Sequence, residues 1–288
     1  MTIDATAPTL RDFMAAWDLF RDPVIAGVIA GGTLGYLGVY IVLRRMVFVS
    51  AALSQAAGLG VALAFYAQIA LGAAALVGDP MVMAMALTIV TLLFLMRRGS
   101  ERWLSHESLL GAVYLVGGAG ALLVGTKIRQ EAHDIQSILF GAAVLVTHAD
   151  LHKLELVAAG AVALQIVAGR GLRFASFDPD GARIRGLPVR LLDMALFVSI
   201  AVSVSVSTRL LGALPVFAFS VLPAMAALLL APNVRGAMAI AAVCGAVAGG
   251  AGYVAAFLYT WPVGASQTAL AAGLLVVAGI LRATLRMR

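Results

Sequence analysis

A single cysteine, Cys244, occurs in 288 residues, which excludes an internal disulfide and leaves no thiolate cluster for a metal. Charge is scarce as well. Asp, Glu, Lys and Arg together make up 12% of the chain, far below the usual share for a soluble domain. The Gly-rich phosphate loop ending in Lys-Ser or Lys-Thr is missing, so the chain has no visible ATP site of its own. Any pumping energy must then come from a partner or a gradient. The period-two alternation of a membrane barrel is absent too. So is a basic leader: the residues before Val24 carry Asp4, Asp12, Asp18 and Asp22 against Arg11 and Arg21, a poor match to a cleaved signal peptide.

What fills the chain instead is apolar sequence. Hydrophobic residues account for 62% and the mean hydropathy is +1.01, in repeated runs long enough to cross a bilayer. The 30 glycines lie among Ala, Leu and Val, as in close-packed membrane helices. The sequence therefore predicts an all-α polytopic membrane bundle of about nine transmembrane helices. Residues 1–23 read as an extracytoplasmic segment, with a short interfacial helix around Phe13, Trp17 and Phe20, and 24–288 as one transmembrane domain. The net charge of +6 lies in short loops, where it signals topology rather than nucleic-acid binding.

Spans are predicted near Val24–Leu43, Val47–Val77, Met81–Met96, Leu109–Val124, Leu156–Ala168, Leu191–Val206, Leu210–Leu230, Ala237–Leu258 and Leu270–Ile280. The apolar run Ile135–Val146 is too short to cross and reads as re-entrant or interfacial. With the amino terminus outside, this arrangement puts most of the arginines in the cytoplasm.

Between the fifth and sixth spans lies a basic island, FASFDPDGARIRGLPVR, from Phe174 to Arg190. Asp178-Pro179 is a helix start and Gly186-Leu187-Pro188 a stop. It is either a docking element or an ordinary solvated loop.

On the opposite side, His148, Asp150, His152 and Glu155 lie in one short stretch. If it is helical, His148 and His152 share a face and Asp150 or Glu155 could complete a loose cation site; otherwise they are interfacial residues. His133 and Asp134 lie on the same side, and His106 reads as a loop residue.

Polar residues inside the apolar runs are few: Ser54, Gln55, Gln68, Gln165 and, at a membrane edge, Asp193. Gln55, among small residues, either glues helices or meets a permeant species. The alternating Ser203, Ser205 and Ser207 would fall on different helix faces. Pro215 and Pro223 predict two kinks in one span.

Five stretches, LGVYIVLRRMVFVSAALSQAAGLGVALA from Leu37, DIQSILFG from Asp134, FDPDGARIRGLPVRLLD in the island, VLPAMAALL from Val221 and WPVGASQTAL from Trp261, together resemble the ABC-3 permeases of zinc and manganese uptake. The resemblance implies a non-enzymatic subunit of the inner membrane, surrounded by lipid and working as a homodimer on a cytoplasmic ATP-binding-cassette ATPase dimer. An extracytoplasmic binding protein would deliver Zn(II) or Mn(II), and ATP would be bound by the partner. No cofactor is implied beyond the transported metal. Phe177, Asp178, Pro179, Arg183, Arg185, Gly186, Leu187 and Pro188 resemble the segment that docks on the ATPase.

One departure stands out. Where the family reads D-A-L-S-H, an Asp and a His one turn apart, this chain has Ala51-Ala52-Leu53-Ser54-Gln55. Ala51 cannot coordinate and Gln55 offers only an amide oxygen. The candidate metal residues are therefore His148, His152, Asp150 and Gln55, with zinc the first choice on the two histidines. The competing readings are a gradient-driven carrier, for which Asp193 is the available acid, and a non-transporting scaffold.

Overall fold

The computed structural model describes residues 8–71, 79–98, 105–127 and 146–286. They form eleven helices: α1 (Leu10–Ala15), α2 (Trp17–Leu43), α3 (Val47–Leu71), α4 (Pro80–Arg98), α5 (His106–Gly125), α6 (His148–Phe177), α7 (Pro179–Ile184), α8 (Val189–Leu211), α9 (Ala213–Leu230), α10 (Val234–Tyr259) and α11 (Val263–Arg286). Among the described residues, nine helices are long and apolar enough to cross a membrane, and the chain is a multi-pass membrane protein.

Side-chain ties fix the direction of each helix. Asp22 meets His148 near the start of α2 and α6, and Arg44 meets Ser176 near their ends, so these two helices run parallel. Helix α3 turns back on α2 through Arg44-Arg45-Met46, where Arg45 takes a left-handed φ of 57°. Gly117 and Gly118 of α5 lie against Gln55, and Gly120 against Leu59, so α5 runs parallel to α3. It follows that α5 ends and α6 begins on the same face. The run Ile135–Val146, except for Val146, lies outside the described residues, as do His133, Asp134 and the side chain of His106.

Several boundaries differ from the sequence expectation. The fifth span is a 30-residue helix, not Leu156–Ala168: the Thr147 hydroxyl accepts from the Asp150 amide and starts the helix at His148, and charged residues at both ends hide its length from a hydropathy reading. The first span already begins at Trp17 and carries Pro23 within it. Only Phe13 of the expected interfacial trio belongs to the short helix α1; it is 2% exposed and packs on Phe20 and Phe257, with ring centroids 5.4 and 5.2 Å away. Gly212, at φ 92°, breaks the chain between α8 and α9. Pro215 therefore falls in the first turn of α9, where no intrahelical amide bond is lost, and Pro223 alone sits inside the helix.

The tightest seam joins α2 to α10. Gly27, Gly31 and Gly35 face Gly249, Gly245 and Ala241, and a Cβ on Gly31 would overlap the Gly245 carbonyl. In lipid there is little hydrophobic drive between helices, so backbone approach and dispersion supply the contact. Helix α8 touches α2, α3, α4, α6, α7 and α9. Ser203, Ser205 and Ser207 are accordingly all buried, although they lie on different faces.

Candidate cation entrance and docking helix

Where α6 ends and α8 begins, these two helices and α7 form a small unit. The Asp178 carboxylate accepts from the Gly181 amide at 2.8 Å and Pro179 occupies the first turn, the cap and start read from the sequence. Gly186 ends α7 at φ 73°, with its amide donating to the Arg183 carbonyl and the Leu187 amide to the Ala182 carbonyl. This paired closure needs a left-handed residue, which Gly supplies without a Cβ penalty. Ala175, Ala182 and Val189 are buried together beneath Phe174 and Leu187, so α7 is fastened to the bundle. Its outer side is open: Ile184 is 87% exposed, and Phe177 at the end of α6 is 54% exposed. Arg183 bonds Asp180 at 2.7 Å in full view of solvent, and the Arg185 guanidinium lies 5.0 Å from the centre of the Phe174 ring.

Beside this unit, Arg44 bonds Ser176 at 2.7 Å and Asp193 at 2.7 Å and lies 5.5 Å from the Phe197 ring centre. Asp193 is thus held by a cation. Gln165 has found a partner within the membrane, accepting from the Tyr40 hydroxyl at 2.8 Å. Nearby, a cleft of about 440 Å³ opens between α2 and α6, with Thr33, Tyr36 and Gln165 among its otherwise mainly apolar lining.

At the opposite end, His148 and His152 occupy successive turns of α6 with ring centroids 4.9 Å apart, edge to face. His148 Nδ1 is 3.0 Å from Asp22 Oδ2 and His152 Nδ1 is 2.9 Å from Glu155 Oε2. Asp150 turns away: its carboxylate accepts from the Thr147 hydroxyl at 2.8 Å and lies 3.6 Å from Lys153 Nζ. Gln55 sits on α3 against α5, where a Cβ on Gly118 would lie 3.2 Å from its Oε1, and Ala51 is 2% exposed. The fold therefore brings the two histidines together and leaves Asp150 and Gln55 in separate surroundings. Among the described residues no group of three or more His, Cys, Asp and Glu is placed to hold a metal ion. Asp22 is the member that sequence reasoning missed. It lies 126 residues from His148, and no local spacing links them.

Known proteins resemble this chain over most of its length. The manganese transport system membrane protein MntC of Halalkalibacterium halodurans is 24% identical over 93% of this chain and 88% of its own. The high-affinity zinc uptake system membrane protein ZnuB of Haemophilus influenzae is 23% identical over 73% of this chain and 77% of its own. The solved structure of PsaBC from Streptococcus pneumoniae in complex with Fab has the same fold, with a TM-score of 0.81 at 22% identity, covering 94% of this chain and 95% of that one. The profile of the ABC 3 transport family matches residues 16–282, so the chain belongs to that family and is a membrane permease subunit of a metal-type ABC transporter, not an enzyme.

Proposed function

We propose that this permease imports a divalent transition metal, zinc before manganese or iron, as a lipid-embedded homodimer driven by a separate cytoplasmic ATPase dimer and supplied by an extracytoplasmic binding protein. The observation that carries this reading is α7: a capped helix, packed onto α6 and α8 by Ala182, that still offers Ile184 to solvent beside the exposed Phe177 at the end of α6. A helix built so firmly with an apolar residue left outside suits a partner surface. Phe177, Asp178, Pro179, Arg183, Arg185, Gly186, Leu187 and Pro188 would form that surface and its frame. The names of the relatives, a manganese and a zinc system, support metal as cargo, and the imidazole pair on α6 favours zinc, since manganese prefers oxygen donors.

Pairing of Asp193 with Arg44 speaks against a gradient-driven carrier, because the acid such a carrier would protonate is already engaged. Co-expression with the candidate ATPase tests the reading: the two should co-purify, and uptake into liposomes should require both. Metal uptake by this chain alone would overturn the dependence on a partner.

A further inference from the structure

The four side chains at the outer ends of α2 and α6 have a division of labour. Each imidazole gives its Nδ1 to a different carboxylate, one from α2 and one from the next turn of α6. A carboxylate on Nδ1 fixes the ring and the tautomer and leaves Nε2 as the ligating nitrogen. Among the described residues, neither Nε2 has a hydrogen-bond partner. Both rings are open to solvent, with His148 66% and His152 63% exposed. Their one-turn spacing on a helix permits one ion to bridge both.

We propose that Nε2 of His148 and Nε2 of His152 form an open two-nitrogen chelate for one borderline divalent cation of the zinc class, with Asp22 and Glu155 as positioning residues rather than ligands. The set is incomplete on purpose of chemistry: a tetrahedral ion would keep two positions for water or for a donor of a delivering protein. Such a site holds its ion loosely, as a loading position must, and its two carboxylates offset the charge of the ion. Asp22 adds a second effect, since it ties α2 to α6, and an ion on His148 bears on the seam between them. The loading role rests on the importer reading above; the metal site itself does not.

The test is titration of the purified full-length chain in detergent with Zn(II) alone, and with Co(II), whose visible absorption reports nitrogen ligation. One ion per chain is expected. His148→Ala/His152→Ala should lose it, whereas Asp22→Asn and Glu155→Gln, which keep both rings, should weaken it by about 10–100-fold. Unchanged affinity in the double variant, folded as judged by thermal unfolding, overturns the site. Unchanged affinity in both carboxylate variants overturns their positioning role. Because binding is read without ATP or flux, a chain that binds zinc but never transports it would refute the importer reading and leave the site standing. Uptake at limiting zinc that is indifferent to the double variant would remove the site from the transport path.

Discussion

Arg44 and Asp193, 2.7 Å apart, join the last turn of α2 to the first turns of α8, and the same guanidinium holds Ser176 at the end of α6. One cation therefore fastens three helices around the base of α7.

Replacing Asp193 with Asn leaves the shape but removes the charge that faces a guanidinium only 13% exposed. A loss of about 1–2 kcal/mol is expected for this partly exposed pair. It should appear as a lower unfolding temperature in detergent, with Asp193→Glu retaining part of the stability. Identical melting of Asp193→Asn and wild type would show that the tie is idle.

The α2–α10 seam makes a sharper demand. Gly31→Leu places a side chain where even a Cβ overlaps the Gly245 carbonyl, so the helices must part and the protein should lose protease resistance in detergent. Gly273→Ala, where a Cβ would meet nothing within 4 Å, should leave resistance intact and gain up to about 1 kcal/mol of helix stability. Similar behaviour of the two variants would contradict the seam.

If α7 is the docking helix, Arg183→Glu/Arg185→Glu and, separately, Ile184→Asp should weaken capture of the ATPase by at least about tenfold while membrane insertion is unchanged. Their positions on an exposed surface make a folding defect a poor explanation. Undiminished capture would refute docking through α7.

Helix α1 should respond to acid. The Thr9 hydroxyl and amide both donate to the Asp12 carboxylate, at 2.7 and 2.8 Å, and hold its pKa below the usual carboxylate value. A lowered folded-state pKa means that the cap is fully in place above the ordinary carboxylate range and is lost as pH falls through the lowered value. Protection of the amides in residues 10–15, taken against the intrinsic exchange rate at each pH, should fall over that interval, and Asp12→Asn should show the low protection at all pH values. Protection that is unchanged from neutral pH to well below the carboxylate range would exclude this cap.

The nine spans found among the described residues and the capped helix of the basic island were legible in the sequence because hydropathy, Asp-Pro and Gly are local signals. Helix ends were less so. Thr147 starts α6 before a charged stretch, and Gly212 moves Pro215 from a kink to a first turn, effects that depend on capping and backbone rather than on apolar length. The histidine pair was visible as an i,i+4 spacing. Its partner Asp22 was not, since the contact exists only once α2 and α6 lie parallel. Nor could the sequence place Gln55, whose surroundings are set by Gly117 and Gly118 of α5.

The most direct measurement is metal uptake into liposomes carrying this chain with its candidate ATPase and binding protein, comparing Zn, Mn, Fe and Co with and without ATP. The account predicts ATP-dependent flux, greatest for zinc. A complex that hydrolyses ATP yet moves none of the four metals would contradict it and turn Ala51 and Gln55 into evidence for another cargo.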